Sequence, residues 1–157
     1  MKKINILLGL LSVFVLMSCE KNDQVTMTGF EDLTAPFLKK AFPENLVITE
    51  DMDLNSEIGY VLWDKADYGY NAAASYTVQV DIHGGTFETP IELVTSTTDR
   101  AIITAKMLNT VAMNFVTESA PVTIDFRLKT VVTSETSVNA AIPVLYSNVQ
   151  SITYTPY

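Results

Sequence analysis

From about Ala35 onward, apolar and polar residues alternate with a period of two rather than at helical spacing. Tyr76, Val78, Val80 and Ile82 fall on one side of a predicted strand, with Thr77, Gln79 and Asp81 on the other. Val122, Ile124, Phe126 and Leu128 repeat the pattern against Thr123, Asp125, Arg127 and Lys129. Both stretches predict half-buried strands, one face in the core and one in water. Residues 46–49, 58–63, 91–95, 101–104 and 143–154 are further strand candidates, separated by turn-rich pieces at 51–57, 64–71, 83–85, 96–99 and 134–139. About seven short strands with turns between them predict an all-β fold, an immunoglobulin- or fibronectin type III-like antiparallel β-sandwich. Residues 106–115 break the alternation, because Leu108, Val111, Ala112 and Phe115 recur at helical spacing. One short helix is therefore expected before the penultimate strand, its apolar side plugging the end of the sandwich. Ala72, Ala73 and Ala74 close a loop and have the capacity for one helical turn.

The strand at 58–63 is apolar on both sides. Val61 and Trp63 share one face, and Ile58, Tyr60 and Leu62 share the other. A sandwich strand needs only one apolar face, so the second must meet something. Two occupants are open. The segment around Phe37 and Phe42 folds over it, or a partner docks there, with Tyr60 and Leu62 as its contacts.

The first 19 residues follow a different rule. Met1-Lys2-Lys3 is a short cationic start, and residues 4–17 are an apolar run broken only by Asn5, Gly9 and Ser12. Such a run is short for a membrane-spanning helix and has the size of a signal-peptide core. It ends in Leu16-Met17-Ser18-Cys19, which looks like a bacterial lipobox and contains the only Cys of the chain. The expected organisation is a signal peptide at 1–18, an acylated Cys19 with a flexible tether at 19–33, and one sandwich domain at 34–157. Acylation at Cys19 would anchor the chain to a membrane without spanning it.

Composition narrows the function. The chain has 157 residues and a net charge of −8. Removing residues 1–18 takes away Lys2 and Lys3, leaving 8 basic against 18 acidic side chains, a net charge of −10. With no basic patch in prospect, nucleic acid is excluded as a partner. A positive mean hydropathy of +0.21 in so acidic a chain traces to the leader and to a β-rich core. One His and one Cys leave little from which to assemble a catalytic centre or a metal site, so neither catalysis nor a cofactor is expected.

Individual candidates are weak in turn. Asp51-Met52-Asp53-Leu54-Asn55 imitates the start of a calcium loop, but Ser56 stands where the turn wants Gly and Leu62 where a bidentate Glu is needed. Asp64 and Asp67 sit beside Lys65 in a turn, where two ionised carboxylates are more natural than an acid–base pair. His83 precedes Gly84-Gly85 in a hairpin turn, with no nucleophile signalled nearby. Tyr68 and Tyr70 lie in a Gly-containing loop and are candidate ligand contacts, able to stack on a sugar or a peptide side chain, or else to cover one end of the core.

Specific strings then carry a resemblance. Residues 63–69 (WDKADYG), 76–81 (YTVQVD), 85–87 (GTF), 145–148 (LYSN) and the terminal Thr155-Pro156-Tyr157 appear in this order. Together they resemble the N-terminal domain of SusE/SusF-type outer-membrane lipoproteins of Bacteroidetes, over residues 34–157. The resemblance implies a surface-exposed accessory lipoprotein beside a SusC-like TonB-dependent transporter and its SusD-like lid, serving glycan or oligopeptide uptake. Family members usually continue into carbohydrate-binding modules, and this sequence is expected to be a single-domain form without them. It transfers no binding residue, because the matching strings are framework: Trp63 for the core, and residues 146–148 as a bulge in the last strand. The alternative is a small surface protein that captures glycan or peptide itself through Tyr68 and Tyr70.

Overall fold

The computed structural model describes residues 33–39, 46–117, 119–133 and 142–157. The leader, Cys19, nearly all of the expected tether, Phe42 and the turn at 134–139 lie outside these residues.

Among the described residues, nine strands and one helix follow in order: β1 (Phe37–Lys39), β2 (Leu46–Val47), β3 (Glu57–Asp64), β4 (Ala74–Ile82), β5 (Ile91–Ser96), β6 (Arg100–Thr104), α1 (Ala105–Ala112), β7 (Val122–Val132), β8 (Leu145–Tyr146) and β9 (Gln150–Thr155). They form two sheets. The smaller has the order β1-β3-β6; the larger runs β2-β9-β7-β4-β5, with β8 also paired to β7. All pairings are antiparallel except β2 with β9. The expected antiparallel sandwich is the observed fold, with the short helix ahead of the long β7.

Alternation explains which faces meet. Leu38, Val61, Trp63, Ala101 and Ile103 of the small sheet pack against Tyr76, Val78, Val80, Ile124, Phe126 and Leu128 of the large one. Each fully buried side chain of this size stabilises by about 1.5–3 kcal/mol. The backbone of β4 pairs with β7 from Ala74↔Val132 to Ile82↔Ile124, so these two strands form the spine of the large sheet.

One end of the sandwich is closed by α1. Thr104 caps it, its Oγ1 accepting the Met107 N–H at 3.3 Å. Leu108, Val111 and Ala112 face the core. The Tyr154 hydroxyl donates to the Leu108 carbonyl at 2.7 Å, tying the helix to β9. The helix is shorter than the periodicity predicts, and Phe115 packs on the core from beyond its end. Ala72 and Ala73 form no helical turn; Ala73 accepts from Thr133 and Ala74 opens β4.

The predicted last strand is interrupted. Lys129 pairs with Tyr146 and Phe126 with Gln150, so two residues of β7 face three of the other strand. Ser147 fills the break: its N–H donates to Leu128 O, and its Oγ accepts the Leu128 N–H at 2.8 Å. This is the bulge expected at 146–148. It turns the Asn148 amide toward the other sheet, where Oδ1 accepts the Leu38 N–H at 2.7 Å and Nδ2 donates to the Leu38 carbonyl at 3.1 Å.

Candidate functional site

The sandwich presents two outer faces of opposite character. On the small sheet, Tyr60 and Leu62 of β3 point away from the core. Their cross-strand neighbours are Ile102 and Arg100 on β6, with Lys39 beside Leu62 on β1. Tyr60 is 52% exposed, Ile102 48% and Phe37 55%, while Leu62 is half-buried. Phe37 lies in the plane of the sheet, opposite Asp64, so it extends this apolar face instead of folding over it. The Lys39–Asp64 ion pair lies at its margin.

The large sheet presents a polar face that carries Asp81, Glu92, Asp125, Arg127 and Lys129. Arg127 lies between two aromatic rings, its Cζ 4.4 Å from the Phe87 centroid and 4.1 Å from that of Tyr146. Its Nε donates to Gln79 Oε1 at 3.1 Å and its Nη2 to the Phe87 carbonyl at 3.4 Å. Phe87 reaches this position with φ of 56°, a left-handed conformation unusual for an aromatic residue. Asp81 stabilises the bend, accepting the N–H groups of Ile82 and Phe87 at 2.8 Å each. A Cβ at Gly85 would overlap the Asp81 carboxylate, so the loop closes only around glycine here.

Asp125 fixes the start of the same loop. It accepts from His83 Nδ1 at 2.8 Å, from the Gly84 N–H at 2.9 Å and from Ser151 Oγ. Burial pushes its carboxyl up, but the bonds from His83, Ser151 and Gly84 outweigh that and hold it below the ordinary aspartate range. Serine, histidine and aspartate are thus together, with Asp125 in the middle. His83 contacts the carboxylate and not the hydroxyl, so the trio anchors a loop and does not activate a nucleophile.

Tyr68 and Tyr70 do not form a platform. Gly69 between them has φ of 75°, and its N–H donates to Asp67 Oδ1 at 2.8 Å, so the chain reverses there. Tyr68 turns into the core at 6% exposure, its hydroxyl 3.4 Å from the Thr130 carbonyl, while Tyr70 stays at the surface. Desolvation raises the Tyr68 pKa to about 12. The remaining acidic candidates are engaged locally: Thr49 Oγ1 donates to Asp51 and the Asn55 N–H to Asp53, and Asp64 pairs with Lys39.

The sequence alone did not single out Arg127, Phe87 and Tyr146. They come from three separate strands and loops, and the one trace was a basic residue on the polar side of a central strand. Together the two faces define a β-sandwich with surfaces for contact and with no assembled catalytic centre among the described residues. Residues 22–129 match the sequence profile of the SusE outer membrane protein family, and the chain belongs to that family. It is accordingly a protein of the outer membrane. No curated protein and no solved structure matches it.

Proposed function

We propose that the protein is an accessory lipoprotein of an outer-membrane nutrient importer, docked to a SusC-like transporter and its SusD-like lipoprotein lid. Acylated Cys19 holds it to the membrane, residues 19–33 act as the tether, and the immunoglobulin-like domain at 34–157 is the docking piece on the cell surface. One observation carries the docking role: the outer face of the small sheet is apolar at Tyr60, Leu62, Ile102 and Phe37, and no described part of the chain covers it. A sandwich that needs only one apolar face per sheet has no internal use for a second. Family membership supports the outer-membrane setting and the kind of partner. Direct capture of glycan or peptide by Tyr68 and Tyr70 loses its support, since Tyr68 is buried.

Two experiments test this. Cys19→Ser should move the protein out of the membrane fraction, and retention there would sink the anchor. The joint substitution Tyr60→Glu and Leu62→Glu should abolish co-purification with the transporter from solubilised outer membranes. Because Tyr60 is more than half exposed, thermal unfolding should shift by only a few degrees. Undiminished co-purification would remove this face from the interface.

A further inference from the structure

Arg127 is the half-buried cation that no carboxylate answers among the described residues, where the ion pairs are Lys39–Asp64, His83–Asp125 and Lys129–Glu92. Three carboxylates share its face, and each is engaged elsewhere. Asp81 takes two backbone N–H groups, Asp125 takes His83, Gly84 and Ser151, and Glu92 takes Lys129 and Gln79. The guanidinium spends one edge, Nε and Nη2, on Gln79 and the Phe87 carbonyl. Its end, Nη1 with the second N–H of Nη2, has no bond among the described residues. Two rings hold it flat, one of them through a strained backbone at Phe87. A planar fork held in this way suits a carboxylate bound through two parallel N–H···O bonds.

The surroundings narrow the ligand. Both β4 and β7 are paired on each side, so this face offers no free backbone edge to an extended peptide. It offers side chains instead. Lys129 and Glu92 keep hydrogen-bonding capacity beyond their mutual contact at 3.1 Å, the Thr77 and Thr95 hydroxyls lie along the same rows, and Tyr146 is 44% exposed. We propose that this face binds a sugar acid, with the carboxylate of a hexuronate on the free end of Arg127 and ring hydroxyls on Lys129 and Glu92. Asp81, Asp125 and Glu92 make the long-range field unfavourable to an anion. Capture therefore depends on the short-range fork, and added salt should not weaken it.

The site is independent of docking through the small sheet, and its failure would leave co-purification with the transporter unaffected. Calorimetric titration of the whole protein in detergent micelles with trigalacturonate, its methyl ester and a triglutamate peptide tests it. Trigalacturonate should bind, and the ester and the peptide should bind at least about tenfold more weakly. Arg127→Lys should lose about tenfold in affinity by removing the fork while keeping the charge. Tyr146→Leu, at an exposed position, should also weaken binding and decides the matter if Arg127→Lys does not fold. Equal binding of acid and ester, preference for the peptide, no binding of trigalacturonate, or an unaltered affinity in the folded variants would overturn the proposal.

Discussion

At the scale of single residues, the buried tyrosines govern behaviour in alkali. Burial raises the pKa of Tyr68 to about 12, and it raises those of Tyr76 and Tyr154 as well. A phenol whose folded pKa lies above its unfolded one favours folding fully below the unfolded value, near 10. That contribution is lost as pH rises through the folded values. The protein should therefore unfold cooperatively in strong alkali, with phenolate absorbance rising together with loss of the β-sheet circular dichroism signal. Early phenolate absorbance from all seven tyrosines without unfolding would contradict it. Tyr68 also shows where reading residues in isolation stops. Two tyrosines two apart in a loop look alike in sequence, and only the left-handed Gly69 sends one inward and leaves the other out.

Elements hold together through their ends and edges. The β4–β5 connection is anchored by carboxylates, and Asp125 makes that anchoring acid-sensitive. Its depressed pKa contributes stability above the unfolded value near 4 and loses it as pH falls through the folded one. Asp125→Asn should be less stable at neutral pH, and its thermal midpoint should fall less between about pH 4 and 2 than that of the parent protein. Equal slopes would refute the assignment. Helix α1 closes its end of the core through Leu108, which is 1% exposed. Leu108→Ala should cost about 2–5 kcal/mol in denaturant unfolding. Strand β1 is the element that alternation missed. It has three residues, of which only Leu38 faces inward, and its outer edge is sealed by the Asn148 amide instead of by another strand. A single inward residue leaves no period to detect. The long strands β4 and β7 were legible because each carries three or more inward side chains at even spacing.

At the scale of the whole molecule, the two outer faces differ in character. The dry face was legible in part, since β3 is apolar on both sides in sequence, and its neighbour Ile102 joins it only through the register of β6. The polar face was not legible. Arg127, Phe87 and Tyr146 meet through the order of strands in the large sheet, and no local pattern encodes that order. Thr34 bridges Asp67 at one end of the sandwich, and the Tyr157 N–H donates to Asn109 at the opposite end.

The parallel pairing of β2 with β9 sets an order of manufacture. Leu46 meets Tyr154, so an early strand of the large sheet waits for the final one before it has a neighbour. Contacts of such long separation form late and make folding slow. A chain shortened to end before Gln150 should therefore remain unfolded by circular dichroism and be cut readily by protease. Folding of that shortened chain would show that closure is dispensable. During synthesis the same requirement leaves β2 without its neighbour until Gln150–Thr155 has been made, a state that a threading export machinery can accept.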